Sequence, residues 1–149
     1  MTVQLKFIAA LAFPFILLYG CKKEAAISST PSIEFKTIAP NPAIKYQDTV
    51  TIAIEITDGD GDIGENTPDV KNVFVTDNRN NVISSFRLPQ QAPDNSNIIV
   101  RAPVNIHLPP QAFVDDSHTS ETVTYSVYVV DRAGHQSNTV QTGTLTINQ

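Results

Sequence analysis

Two patterns of hydrophobic residues divide the chain. Residues 7–18 form an almost unbroken apolar run close to the N-terminus. From Ile33 onward, apolar and polar residues alternate with a period of two, which is typical of strands that bury one face. No helical period competes with this alternation, so the sequence predicts a leader followed by an all-β domain.

The alternation is clearest in three segments. Even-numbered positions are apolar in residues 50–56 and 98–108, whereas odd-numbered positions are apolar in residues 123–129. Pro103 predicts a break or bulge in the second segment, and a change of parity predicts a bulge near Gly143. Seven strands are predicted in all: 33–38, 50–56, 70–76, 82–88, 98–108, 123–129 and 140–147.

Turn-rich stretches separate these strands, a layout that favours a two-sheet sandwich. Residues 128–138 read Tyr-Val-Val-Asp-Arg-Ala-Gly-His-Gln-Ser-Asn. This stretch resembles the "strand, Asp, x, Ala-Gly-Asn, x-Ser" ending of extracellular sandwich domains, with His135 in place of the usual Asn. Residues 33–148 thus resemble bacterial immunoglobulin-like or fibronectin-III-like modules. The resemblance implies one seven-stranded immunoglobulin-like β-sandwich over residues 33–149.

The N-terminal run predicts an export signal. A basic start, a short apolar stretch and small residues at the cut are the parts of such a signal. Leu18-Tyr19-Gly20-Cys21 resembles the lipobox of bacterial lipoproteins, which implies that residues 1–20 are removed and that Cys21 carries the lipid. A plain secretory signal and an uncleaved membrane helix are the alternatives, although a helix needs about 20 apolar residues and Pro14 interrupts this run.

Composition limits the partners. The leader holds one of the ten basic residues and none of the fifteen acidic ones, so the mature chain would carry a formal charge of −6. Such a surface has no basic footprint for nucleic acid. Residues 21–32 are small and polar after the lipidated cysteine, which is typical of a flexible tether. We therefore expect a domain held by lipid in the cell envelope, at the outer membrane.

The sharpest local motif is Asp58-Gly59-Asp60-Gly61-Asp62-Ile63-Gly64. Alternating carboxylates separated by glycines can curl around one hard cation, and Ca²⁺ takes six to eight oxygen ligands. The first three carboxylates match positions one, three and five of an EF-hand loop, and Asp69 falls at the twelfth. Ile63 stands where that loop needs glycine, and no helices flank it, so the prediction is a calcium loop on a β scaffold. The motif also resembles Asp-Gly-Asp-Gly-Asp-Ile-Gly loops of small bacterial lipoproteins with uncharacterised sandwich domains.

Topology adds a second set of candidate ligands. In a sandwich of this type, loops 57–69 and 131–138 leave from the same end. Asp131, and also Asn138, would then approach the three aspartates and complete the shell around the ion. The alternative is a plain solvated turn, because both Asp and Gly favour turns.

Other chemistry is weakly represented. His107, His118 and His135 lack metal-ligand spacing, although His135 can add a nitrogen ligand from its loop. Asp115-Asp116-Ser117-His118 holds triad residue types, yet triads are built from distant segments. The chain lacks tryptophan, the usual sugar platform, and Tyr125 is expected in the core.

Three functions remain in view. The first is a non-enzymatic, lipid-anchored binding or structural module whose partner is an unknown envelope protein or glycan. The second is an accessory subunit of an envelope transport or polysaccharide-uptake assembly. The third is a small hydrolase, which needs a pocket that a chain of this length scarcely supplies.

The lipid anchor is directly testable. Mass spectrometry of the native protein should show that residues 1–20 are absent and that Cys21 is acylated. An intact leader, or a free thiol on a soluble cytosolic product, would contradict the prediction.

Overall fold

The computed structural model describes residues 27–149, and this range forms ten strands and no helix. The predicted all-β class is confirmed. The predicted leader and Cys21 lie outside the described residues. Within the described range, no helix is long and apolar enough to cross a membrane. The strands are β1 (Ser32–Ala39), β2 (Ala43–Ile44), β3 (Val50–Asp58), β4 (Val73–Asp77), β5 (Ile83–Phe86), β6 (Val100–Leu108), β7 (Ser120–Val123), β8 (Tyr125–Val129), β9 (Val140–Gln141) and β10 (Leu145–Asn148).

The strands pair into three sheets. One has the order β1-β3-β6, the second β5-β4-β8-β9, and the third β2-β10-β7. Strands β2 and β10 pair in parallel, whereas the other pairs are antiparallel. The three sheets share one hydrophobic core.

Alternation along the strands builds this core. Every second residue of β3, from Val50 to Asp58, is buried, and the residues between them are half-buried. Strand β8 repeats the pattern from Tyr125 to Val129, so Tyr125 lies in the core as expected. Burial of a valine or isoleucine side chain stabilises the fold by about 1.5–3 kcal/mol. The core therefore holds β3 rigidly up to its last residue, Asp58.

The predicted break at Pro103 is wrong. Strand β6 runs without interruption past this residue, and Pro103 lies opposite Glu55 in an unshifted register. Because β6 pairs only with β3, it is an edge strand, where the missing N–H of proline is tolerated. The register shift in this sheet lies instead in β1, between Phe35 and Thr37.

The last two predicted strands are each divided in two. Residues before Thr124 pair with β10, whereas residues after it pair with β4 and β9. At this switch, Thr142 accepts a hydrogen bond from the Tyr125 amide through Oγ1 (3.0 Å) and donates its own amide to the Tyr125 carbonyl (2.9 Å). The second division, between β9 and β10, includes Gly143, where the parity change predicted an irregularity.

Burial of the β3 face can be tested with two equal truncations. Ile54 is 1% exposed in the core, whereas Ile83 in β5 is 59% exposed. Ile54→Ala should lower the free energy of unfolding by about 2–5 kcal/mol because it leaves a cavity. Ile83→Ala should change it by less than about 0.5 kcal/mol. Urea denaturation measures both, and equal effects would contradict the assigned core.

Candidate metal centre

Three carboxylates meet where β3 ends. Asp58 is the last residue of β3 and is fully buried, while Asp60 and Asp62 follow in the loop and are half-buried. One carboxylate oxygen from each lies within 4.8 Å of the other two. Oxygens bound to one Ca²⁺ at 2.3–2.6 Å can lie up to roughly 5 Å apart, so the spacing accommodates a single ion.

The shielded oxygens of this cluster lack protein partners. Asp58 Oδ1, Asp60 Oδ1 and Asp62 Oδ1 are hidden from solvent and accept no hydrogen bond from any described group. Ion pairs within residues 27–149 do not include these three side chains either. A buried carboxylate oxygen without a partner is costly, and a cation would satisfy all three at once.

Elsewhere in the same domain, a second pair of acidic residues forms salt bridges with an arginine. Asp77 and Glu121 are half-buried, and Arg79 lies between them. Its Nη2 is 2.7 Å from Asp77 Oδ2, and its Nη1 is 3.3 Å from Glu121 Oε2. Among the described residues, no arginine or lysine forms a salt bridge with the cluster at the end of β3.

Local backbone contacts hold the loop in place. Asp58 Oδ2 accepts hydrogen bonds from the amides of Gly61 (2.9 Å) and Ile63 (3.3 Å). Ile63 is fully buried in the core. The residue that departs from the EF-hand pattern therefore anchors the loop, because its side chain fixes the far end while Asp58 fixes the near end.

The glycines are required by close packing. A Cβ on Gly59 would lie 2.4 Å from the Ser28 carbonyl oxygen. Gly61 and Gly64 have φ values of 80° and 91°, which favour glycine. A Cβ on these residues would lie 2.7 Å from the Ile98 oxygen and 2.3 Å from the Pro89 oxygen. The loop is thus enclosed by the segments before β1 and before β6.

The loop after β8 forms another wall, as the predicted topology requires. The Ala133 amide donates to Asp62 Oδ2 (3.1 Å), and the Arg132 amide donates to the Asp62 carbonyl (3.3 Å). Arg132 Nη1 donates to the Gly64 carbonyl (3.1 Å), and its Nη2 lies 3.5 Å from Asp94. The two loops predicted to meet are therefore in contact.

The other predicted ligands are placed differently. Asp69 is exposed and lies outside the converging group. Asp131 is buried, but its Oδ1 accepts the His135 amide (2.7 Å) and its Oδ2 contacts His135 Nδ1 (2.9 Å). Asn138 hydrogen-bonds the amide (2.8 Å) and carbonyl (2.9 Å) of Ile33. The structure therefore brings the carboxylates of Asp58, Asp60 and Asp62 together, with Asp131 near enough for its charge to act on Asp58 and Asp62.

Asp69 lies outside the cluster because of the path of the backbone after Glu65. In an EF-hand, the residue at the twelfth position returns on a helix. Here the chain after Glu65 enters a turn in which the Val70 amide donates to the Thr67 carbonyl (3.2 Å), and β4 follows from Val73. Sequence spacing alone therefore does not bring this carboxylate back to the cluster.

Electrostatics raises the pKa of two cluster residues. The pKa of Asp58 rises through burial and through the charges of Asp60 and Asp131, against the opposing hydrogen bonds from Ile63 and Gly61. The pKa of Asp62 rises through burial and then through the charges of Asp131 and Asp60. Asp131 thus acts on the cluster as a nearby negative charge.

A polar depression adjoins the cluster. Its volume is about 580 Å³, and it is open to solvent. Its lining residues are Asp60, Asp62, Asp94, Asn95, Asn97, Arg132 and Ala133. Two of the three cluster residues therefore face a solvent-accessible space through which an ion and its water ligands can enter.

The triad-like residues lack a relay geometry. His118 Nδ1 contacts both Ser117 Oγ (3.1 Å) and Asp115 Oδ2 (3.3 Å). A catalytic triad uses one ring nitrogen for serine and the other for the carboxylate. His118 and Asp115 are also more than 60% exposed, so this group forms a solvated turn.

Sequence reasoning missed the third wall of the centre, the loop before β6. Ser96 Oγ is shielded, has no hydrogen-bond partner and lies 3.3 Å from the position of a Cβ on Gly61. Nothing in the Asn-Ser-Asn stretch at 95–97 distinguishes it from an ordinary turn, since its proximity to the cluster arises only from the folded arrangement.

No known protein family, curated protein or solved structure matches the chain.

The raised pKa of Asp62 predicts a pH-dependent effect of Asp62→Asn in chelator. The folded state binds the Asp62 carboxyl proton more tightly than the unfolded state does. Its contribution to the free energy of unfolding is therefore fully present below the ordinary pKa of 3.8. That contribution is lost as the pH rises through the raised folded-state pKa. The neutral variant should therefore be more stable than the parent at pH 7, and the difference should vanish below about pH 4. Urea denaturation across this range measures it, and a less stable variant at pH 7 would contradict the assignment.

Proposed function

We propose that this chain is a non-enzymatic, lipid-anchored module of the bacterial cell envelope, in which one Ca²⁺ stiffens the loops at one end of an immunoglobulin-like β-sandwich. The observation that carries the metal part is the convergence of Asp58, Asp60 and Asp62 with a shielded, unpartnered oxygen on each. The rigid strands present these loops to a partner, which is an envelope protein or a glycan.

The donor set favours calcium. Three carboxylates are hard ligands, and Ca²⁺ accepts them in flexible geometries together with carbonyl oxygens and waters. Mg²⁺ prefers a near-ideal octahedron with several waters and one or two carboxylates. The cluster contains no thiolate or imidazole, the ligands that favour zinc.

A bound ion would remove the electrostatic repulsion between the cluster carboxylates. Two like charges about 5 Å apart repel by about 3 kcal/mol at an effective dielectric constant of 20. A divalent ion replaces these repulsions with attractions and fixes Asp58 at the end of β3 relative to Asp62, which already contacts the loop after β8. The role proposed for the ion is structural, because it links loops and does not act on a substrate.

The strand orders support the sandwich. Sheets with the orders β1-β3-β6 and β5-β4-β8-β9 correspond to the A-B-E and C′-C-F-G arrangement of immunoglobulin-like domains. In this proposal, β7 with β8 forms strand F and β9 with β10 forms strand G. The short β2-β10-β7 sheet arises where these two strands leave the second sheet.

The location rests on the lipobox-like residues at 18–21. With a lipid at Cys21, strand β1 would begin eleven residues after the anchored cysteine, and the acidic surface of the domain favours attachment through the lipid over the protein face. An accessory subunit of a transport or polysaccharide-uptake assembly is the second candidate. Crosslinking in intact cells distinguishes the two, since only the subunit predicts a stoichiometric companion.

Calcium binding predicts a chelator-sensitive melting temperature. At a hundredfold excess of Ca²⁺ over Kd, the ion stabilises the folded state by about 2.7 kcal/mol. For a domain of this size, that corresponds to roughly 8–10 °C. Differential scanning calorimetry of the full-length protein in detergent should show this shift between CaCl₂ and EDTA.

Two variants make this test specific. Asp60→Asn removes one cluster carboxylate and should abolish most of the shift. Asp69→Asn removes an exposed carboxylate from the same loop region and should leave the shift unchanged. If EDTA does not alter the melting temperature of the parent protein, the calcium proposal is wrong.

A further inference from the structure

Four shielded side-chain oxygens in residues 27–149 have no hydrogen-bond partner, and all four lie in one region. Three belong to Asp58, Asp60 and Asp62, and the fourth is Ser96 Oγ. Ser96 lies in the loop before β6 and is separated from the cluster by more than thirty residues of sequence. This coincidence calls for a common cause, because buried hydroxyls normally find a partner.

The position of Ser96 places its hydroxyl beside the acidic loop. Its Oγ is 3.3 Å from where a Cβ on Gly61 would stand, and Gly61 is the residue between Asp60 and Asp62. The Ile98 carbonyl approaches the same Gly61 position to 2.7 Å. A side chain at position 61 would therefore separate the loop before β6 from the cluster, and glycine keeps the two in contact.

The cluster itself supplies too few oxygens. Three carboxylates hold at most six oxygen atoms, and two of these, Asp58 Oδ2 and Asp62 Oδ2, also accept backbone amides. Ca²⁺ takes six to eight oxygens. Asp58 is fully buried, so part of the shell of a bound ion would have to come from other protein oxygens.

We infer that Ser96 supplies a fourth protein oxygen to the cation, so that the ion ties the loop before β6 to the loop after β3. A hydroxyl oxygen is as hard a donor as the water molecules that Ca²⁺ accepts. Asn95 and Asn97, which flank Ser96, line the depression beside Asp60 and Asp62. Ion binding would therefore also set the shape of that depression. The inference rests on the proposed calcium site.

The test is a calorimetric CaCl₂ titration of the full-length protein in detergent. Ser96→Ala should weaken Ca²⁺ binding roughly tenfold, the effect of losing one contact to a charged group. Its metal-free melting temperature should be unchanged or slightly higher, because the substitution removes a buried hydroxyl that has no partner. Ser85→Ala, at an exposed position in β5, is the matched control and should bind like the parent.

Hydrogen exchange gives a second readout. Addition of CaCl₂ should slow amide exchange in residues 95–99 of the parent protein, and this protection should be reduced in Ser96→Ala. If Ser96→Ala binds Ca²⁺ as tightly as the parent while Asp60→Asn does not bind, the Ser96 inference alone is overturned. If the parent protein itself binds no Ca²⁺, the inference and the proposed site fall together.

Discussion

The arrangement at one end of this domain depends on a single electrostatic constraint, the shielding of three carboxylates within 4.8 Å of one another. Among the described residues, neither arginine nor lysine forms a salt bridge with them, whereas Arg79 bridges Asp77 and Glu121 elsewhere in the domain. Burial and mutual repulsion raise the pKa of Asp58 and of Asp62. A bound cation would relieve the burial and the repulsion that raise these pKa values.

The β scaffold makes that constraint possible. The buried face of β3 fixes Asp58, and Ile63 returns to the core five residues later, so the intervening loop has little freedom to release its charges into solvent. Three chain segments then close around the loop: one before β1, one before β6 and one after β8. A Cβ on Gly59 would collide with the first of these segments, and a Cβ on Gly61 or Gly64 would collide with the second. An ion at this point would link segments that are far apart in sequence.

Alternation and residue spacing predicted the features that depend on residues close together in the sequence. Alternation in residues 50–56 gave the buried face of β3, and the spacing of Asp58, Asp60 and Asp62 gave the cluster. The sheet switch at Thr124 was invisible because Val123 and Tyr125 keep the same parity on both sides of it, so both remain buried. Asp69 was placed by analogy with a helical loop, and a turn takes it elsewhere. Ser96 reaches the cluster only through tertiary packing, which no spacing within its own segment could indicate.

The most direct measurement is a crystal structure of the protein grown in CaCl₂. The account predicts one ion between β3 and the loop before β6, bound to Asp58, Asp60 and Asp62 at about 2.3–2.6 Å. A cluster whose carboxylates turn outward into solvent in the presence of CaCl₂, with no ion between them, would contradict the account.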